Sequence, residues 1–394
     1  MTKWSWSTNK SVANELNNWI ELDSQAYRAN LRFFRRHLNP EVVLSLVVKS
    51  NAYGHGLAEI VTLASAEGVD EYCVHTLAEA EAVRGVNQQA NVLILGYLHP
   101  REWEAALLRE FDIAVFADDF PPLLAALADG LKRRAKLHLK LETGTNRYGI
   151  TNDAMLQLAA KIAQYPQLTI RGLYTHYADI EDTTDHSFAE KQLGLFRAAS
   201  KELLGQGHKI NRHHTACSAA ALLFPQTHMQ MVRLGISQYG LWPSRETYLS
   251  YLHQKPGTDE QLLQPVLTWK TRVSQVKDVS KGEYIGYGST YRVSRDSRIA
   301  VLPIGYFDGY PRSLSNRAHV LINGQRAAVR GRVCMNLLMV DITDIDDVKT
   351  NAEVVLLGRQ GDEEVSAGQI AAWAETIHYE IIARLNPLIP RIIS

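Results

Sequence analysis

The sequence predicts an α/β protein: a (β/α)8 barrel of the TIM type followed by a smaller, mostly-β C-terminal domain. Two observations carry that expectation. Between about residues 15 and 240, eight short apolar runs alternate with longer amphipathic stretches. After residue 264 the texture changes to short β-type runs joined by Gly, Asn and Asp turns. A chain of 394 residues suits one large and one smaller domain. The expected bounds are 14–245 for the barrel and 262–394 for the β domain, with residues 1–13 placed beside the latter.

The eight runs are VVLSLVVK (42–49), YCVHT (72–76), NVLILG (91–96), DIAVF (112–116), KLHLKLE (136–142), TIRGLYTH (169–176), KINRHH (209–214) and MQMVRLG (229–235). The stretches between them, such as AEIVTLASAEG and MLQLAAKIAQYP, have helical spacing, and several end at Gly or Pro. A doubly wound open sheet would show the same alternation, but the count of eight favours the barrel. Residues 245–264 read as a polar connector. VLTWKTRVSQVKDV, EYIGYG, RIAVLPIGY, HVLING, QRAAVRGRV, LLMVDIT and EVVLLGRQ then read as strands, with INGQ (322–325) as a tight hairpin turn. AGQIAAWAETIHYEIIARL reads as one closing helical segment.

Composition narrows the class. Hydrophobic residues at 46% and charged residues at 21% are globular values. Equal numbers of basic and acidic residues, 42 each, argue against a nucleic-acid or membrane-surface partner. Cys73, Cys217 and Cys334 are too few and too scattered for a disulfide framework. The N-terminal segment lacks the apolar core of a signal peptide, and no apolar run approaches the roughly 18–20 residues of a membrane span. A soluble cytoplasmic protein is expected. His208, His213 and His214 lie close in sequence but lack a suitably spaced carboxylate, so no metal site is expected.

The segment VVKSNAYGHG (47–56) carries the chemistry. Lys49 ends the first apolar run, at the rim where barrel enzymes place their active sites. A lysine there can form an imine with an aldehyde cofactor. Tyr53 and the glycines follow in a loop suited to approach a phosphate. A lone lysine at a strand end is more often a snorkelling side chain, so the flanking pattern decides.

That pattern resembles the cofactor-lysine signature of the alanine racemase family, the barrel-type (fold type III) pyridoxal-phosphate enzymes. Further matches follow in family order: LETGTNRYG (141–149), GLYTHYAD (172–179), HTACSAA (214–220), VRLGISQYG (232–240), GYGSTY (286–291), LPIGYFDGYPR (302–312), GRVCM (331–335) and HYEIIARLNPLIPR (378–391). They span nearly the whole chain.

The resemblance implies a racemase that interconverts L- and D-alanine through a pyridoxal 5'-phosphate external aldimine, by two-base proton transfer. It implies a role in supplying D-alanine for peptidoglycan. Lys49 would hold the cofactor and serve as one base. Tyr287 would be the other, supplied by the second subunit of a homodimer with shared active sites. Tyr53, Ser218, Gly235, Ile236 and Tyr379 map to the phosphate, which hydroxyls and backbone N–H groups suit. Arg233 maps to the pyridine nitrogen. A permanent cation there leaves the nitrogen unprotonated and restrains the ring as an electron sink.

His176 maps to the histidine that touches the catalytic tyrosine and, with an arginine, stabilises its phenolate. Arg147 maps near the cofactor's phenolic oxygen and the substrate carboxylate. Lys140 lies seven residues before it, where many family members carry a carbamylated lysine that positions the arginine. Met335 maps to a backbone amide for the substrate carboxylate, and Tyr306 to the active-site entrance. Taken singly, these residues have plainer readings: Ser218 a helix cap, Gly235 a turn, Arg233 an ion pair, His176 a satisfied rim histidine, Tyr287 packing.

Two departures bear on substrate. Asn336 follows Met335 where the family often has Asp, and Thr145 and Asn146 replace the usual Met and Gly. Both leave the chemistry intact and keep serine or a broader amino-acid set open. A barrel-type pyridoxal-phosphate decarboxylase would share the logic of Lys49. A non-enzymatic cofactor-binding protein is the remaining alternative, though such barrels usually lack a second domain.

Overall fold

Strands of a parallel barrel are buried on both faces, so they are written as continuous Val, Leu and Ile runs. The computed structural model describes residues 15–181, 185–254 and 262–394. The expected placement of residues 1–13 lies outside the described residues. Two compact units interleave along the chain. One comprises Gln25–Ser50 and Ile60–Pro265; the other comprises the described residues through Ser24, Asn51–Glu59 and Val266–Ser394.

The first strand, β1 (Asn18–Leu22), belongs to the second unit. The first unit holds β2 (Val43–Val47), β3 (Glu71–Val74), β4 (Asn91–Ile94), β5 (Asp112–Val115), β6 (Ala135–Lys140), β7 (Leu168–Tyr174), β8 (Arg212–His214) and β9 (Met231–Leu234). All eight apolar runs are therefore strands. From β2 to β8 each pairs in parallel with the next, and β9 pairs in parallel with β2. The ring closes between β8 and β9, where Gln230 N and Arg233 N donate to His213 O and Ala216 O. Helices separate most of the strands, as a (β/α)8 barrel requires. The helix Leu77–Val86 shows why one starts where it does: Thr76 caps the Glu79 N–H and Glu79 returns the bond to Thr76.

The second unit is built on one sheet. Its further strands are β10 (Leu267–Arg272), β11 (Gln275–Val279), β12 (Ser297–Leu302), β13 (His319–Ile322), β14 (Gln325–Val329), β15 (Leu338–Asp341), β16 (Glu353–Gln360), β17 (Glu363–Val365) and β18 (Arg391–Ile393). The order is β11-β12-β15-β14-β13-β16-β10-β1-β18, with β17 on β16. Although β1 lies within the range expected for the barrel, it pairs antiparallel with β10 and parallel with β18. Side chains of β10 alternate buried and half-buried, the period-two pattern of a sheet with one face in a core. The expected hairpin joins β13 to β14, with Ile322 opposite Gln325 and both Asn323 and Gly324 at positive φ.

Three local expectations are corrected. The connector 245–264 contains a helix, Arg245–Gln254, that buries Thr247 and Tyr251. EYIGYG is not a strand: it makes one bridge, Tyr284 to Arg292, and then a 3-10 turn over Tyr287–Ser289. The closing segment is two helices, Ala367–Ala374 and His378–Ala383, parted where Glu375 adopts φ 58°.

The segment after Lys49 has the longest run of positive-φ residues among the described residues. Ser50, Asn51, Ala52 and Tyr53 have φ of 55°, 54°, 52° and 54°, a left-handed helical turn of four non-glycine residues. Such a conformation costs about 1–2 kcal/mol per residue. It persists only where its surroundings over-determine it. The Gly56 N–H donates to Asn51 O at 3.0 Å and the Leu57 N–H to Asn51 Oδ1 at 2.9 Å.

Candidate active site

The barrel unit carries its candidate residues at the carboxyl ends of the strands. Lys49 follows β2, Lys140 ends β6, and Arg147 lies in the loop beyond it. His176 follows β7, Ser218 opens the helix after β8, and Gly235 and Ile236 follow β9. This is the face that barrel enzymes use.

Arg233, on β9, is buried and almost fully committed. Its Nη1 donates to His214 Nδ1 at 2.6 Å and to His214 O at 2.8 Å. Its Nη2 donates to Thr175 O at 2.8 Å and Thr215 O at 3.2 Å. The four Nη hydrogens are thereby used, and Nε–H remains as the donor for a ligand.

The arginine continues into a buried chain that the sequence reading missed. His214 Nε2 lies 2.8 Å from His138 Nδ1, and His138 Nε2 lies 3.0 Å from Asp112 Oδ2. Arg171 Nη1 donates to the other Asp112 oxygen at 2.9 Å. The direction of every proton follows. Arg233 can only donate, so His214 accepts at Nδ1 and carries its proton on Nε2. His138 then accepts at Nδ1 and donates from Nε2 to the carboxylate. Burial pushes both imidazoles below the ordinary histidine range, which keeps them neutral. Asp112 is held below its usual value although burial opposes it, because His138 and Arg171 stabilise the carboxylate. Gly172 makes the chain possible: a Cβ there would lie 2.3 Å from His138 Nδ1. The available signal was faint. It consisted of a charged or polar residue in each of DIAVF, KLHLKLE and KINRHH.

Both rim amines are held below the ordinary lysine range. Burial, then the Arg147 charge, lowers the Lys49 pKa. The same two causes bring Lys140 down to about 8. The Lys140 ammonium sits 5.7 Å and 5.8 Å from the ring centres of Tyr148 and Tyr174, and among the described residues no carboxylate lies within ion-pair distance. Arg147 is exposed. Burial and Arg233 push His176 down to about 3, so it is a neutral imidazole. Thr145 Oγ1 donates to His176 O at 2.7 Å, so one departure from the family pattern ties its loop to this histidine.

The candidate phosphate residues of the barrel unit bond to one another. Ser218 Oγ accepts from Gly235 N at 3.0 Å and Ser237 N at 3.4 Å, so the Gly235 N–H is turned inward and the serine hydroxyl keeps its own proton to give. Two buried hydroxyls, Tyr174 Oη and Ser237 Oγ, have no partner among the described residues. Unmet groups of this kind cost about 1–3 kcal/mol each. With the Arg233 Nε–H and the Lys49 amine, they make a donor set that fits a flat, anionic aldehyde such as pyridoxal phosphate.

The β unit carries the remaining candidates in two places. The rings of Tyr53 and Tyr379 lie 6.3 Å apart. Tyr287, Tyr306 and Met335 converge on residues 331–335. Backbone next to Tyr287 packs on Arg332, while Tyr306 N and Phe307 N donate to Cys334 O and Met335 O, each at 3.0 Å. Tyr287 is 75% exposed and Met335 55% exposed, so both stand available to another molecule. Asn336 is also exposed.

Comparison with known proteins identifies the family. The alanine racemase N-terminal domain model matches residues 22–243, and the C-terminal domain model matches residues 266–393. An alanine racemase of Symbiobacterium thermophilum is 39% identical over 95% of this chain and 96% of its own. The structure of alanine racemase from Bacillus anthracis with bound L-Ala-P superposes with TM-score 0.88 at 33% identity, covering 96% of this chain and 95% of that one. A histidine racemase from Leuconostoc mesenteroides subsp. sake superposes with TM-score 0.86 at 25% identity, covering 96% and 98%. The chain belongs to the alanine racemase family of pyridoxal-phosphate-dependent isomerases.

Proposed function

We propose that this protein interconverts L- and D-alanine at a pyridoxal phosphate held by Lys49, works in the cytoplasm, and supplies D-alanine for peptidoglycan. The observation that carries the reading is Arg233. Its four Nη hydrogens are tied into the barrel, and it has one N–H left for a ring nitrogen. A fixed cation in that place leaves the nitrogen unprotonated, which favours plain proton exchange over decarboxylation or transamination.

When bound, pyridoxal phosphate supplies the electron sink that acidifies the substrate Cα–H. Lys49 faces one side of that carbon, and Tyr287 of a second copy faces the other. From L to D, Tyr287 takes the proton and Lys49 delivers one to the opposite side; from D to L the roles reverse. His176, with the Arg233 charge behind it, stabilises the tyrosinate. Arg147 and the Met335 N–H hold the carboxylate. Tyr53, Tyr379, the Ser218 hydroxyl and the Ile236 N–H hold the phosphate, and Gly235 acts through Ser218. Lys140 is carbamylated and positions Arg147. Tyr306 lines the entrance. The exposure of Tyr287 and Met335 in the single chain supports a homodimer with shared sites.

The test is a panel of single-enantiomer amino acids, incubated with the holoenzyme in deuterated water. Deuterium entry at Cα with inversion, on alanine alone, is the expected result. Inversion of serine or basic amino acids would replace the alanine assignment with a broader one. Carbon dioxide release without inversion would overturn the racemase.

A further inference from the structure

We infer that Arg391 is a positioning residue for the cofactor's phosphate: it grips the left-handed turn that carries Tyr53 and so sets where Tyr53 stands beside Tyr379. The inference rests on the proposed reading of Tyr53 and Tyr379 as phosphate ligands.

Arg391 opens β18 at the end of the chain and is buried. Its Nη2 donates to Gly54 O, the first carbonyl after Tyr53, at 2.8 Å. Its Nη1 donates to Asn386 O at 2.8 Å and also to Ile389 O. One planar fork thus joins the turn to the loop after the helix that bears Tyr379. That helix meets the turn directly as well. Gly54 has φ +82°, and a Cβ there would lie 1.8 Å from Ile382 O. Tyr53 is therefore carried on a turn whose exit is clamped from the same C-terminal segment that carries Tyr379.

The guanidinium is held for this purpose at some cost. Burial lowers its pKa to about 10, with Glu59 as the countering negative charge. Its Nε–H is buried and meets no acceptor among the described residues. A packing residue would need neither charge nor fork. A left-handed turn of non-glycine residues has a nearby, less strained alternative, and loss of the Gly54 bond removes one of the contacts that forbid it.

The experiment compares two cofactors in reconstituted protein. Holoenzyme is stripped of cofactor and titrated with pyridoxal phosphate and with pyridoxal, which lacks the phosphate, following the visible band of the lysine-bound form. R391Q is expected to weaken pyridoxal phosphate by at least about tenfold, the range for removing an outer partner of a ligand, and to leave pyridoxal nearly unchanged. R391K, which keeps the charge but not the fork, is expected to fall between, and it carries the test if R391Q does not fold. Y53F is expected to show the same selective loss, with little added by R391Q on that background. Equal weakening of both cofactors by Arg391 variants, or full additivity with Y53F, overturns the inference. A selective loss in Y53F with none in the Arg391 variants sinks the inference alone. A Y53F protein with no selective loss sinks the phosphate reading itself and the inference with it.

Discussion

Arg233 Nη1 lies 2.6 Å from His214 Nδ1, and that contact fixes the proton positions of a buried chain that ends on the Asp112 carboxylate. Because the arginine can only donate, neither histidine is free to choose its tautomer.

Nitrogen-15 spectra of labelled protein are therefore expected to show His214 and His138 both protonated on Nε2 and both neutral at pH 7. A His214 protonated on Nδ1 would contradict the chain. Gly172→Ala places a Cβ against His138 and is expected to cost about 1–3 kcal/mol in urea unfolding. Asp112→Ala should cost about 3–5 kcal/mol, since it leaves Arg171 unpaired beside His138.

Stability should fall as the pH drops below about 6.5, before the carboxylates titrate. His55 and His176 are pushed down to about 3, and His138 and His214 are also lowered, all chiefly by burial. The unfolded chain then takes up protons that the folded chain refuses. Each such histidine contributes stability that is full above pH 6.5 and is lost towards its folded pKa, at up to about 1.4 kcal/mol per pH unit. Denaturant midpoints measured from pH 8 to pH 4 check this; a flat profile above pH 5 would remove the case for neutral buried imidazoles.

With a pKa of about 8 and no carboxylate within ion-pair distance among the described residues, Lys140 should have a substantial neutral fraction at mildly alkaline pH. Its amine can then add carbon dioxide, forming an N–C bond and releasing one proton. Native intact mass with and without bicarbonate is expected to show the added carboxylate, with activity following it. A lysine unmodified in both conditions in an active enzyme would rule the modification out.

Tyr287→Phe should leave the lysine-bound cofactor band in place and abolish inversion. If sites are shared between subunits, mixing inactive Lys49→Ala and Tyr287→Phe proteins and re-equilibrating their subunits should restore about a quarter of the activity, since half the dimers are mixed and each has one complete site. No restoration among demonstrated mixed dimers would place both groups on one subunit.

Some of the local structure was unreadable for specific reasons. Arg245–Gln254 reads as a connector because its buried face is only Thr247 and Tyr251, too narrow to impose a helical pattern. The break at Glu375 has no Gly or Pro to announce it, since the left-handed cap is a glutamate. EYIGYG has the alternation of a strand, but it buries Ile285 alone and turns at Tyr287.

The sequence by itself determined the eight barrel strands, because strands buried on both faces are mostly apolar and alternate with helix-length stretches, and it determined the family through motifs that each lie within one short segment. Only the tertiary structure decided which unit β1 joins, how the turn after Lys49 is held, and that Asp112, His138, His214 and Arg233 form one chain. Those four residues sit on β5, β6, β8 and β9, and their bonds skip β7 through the space left at Gly172. Such a contact depends on closing the barrel, and no local pattern of residues encodes it.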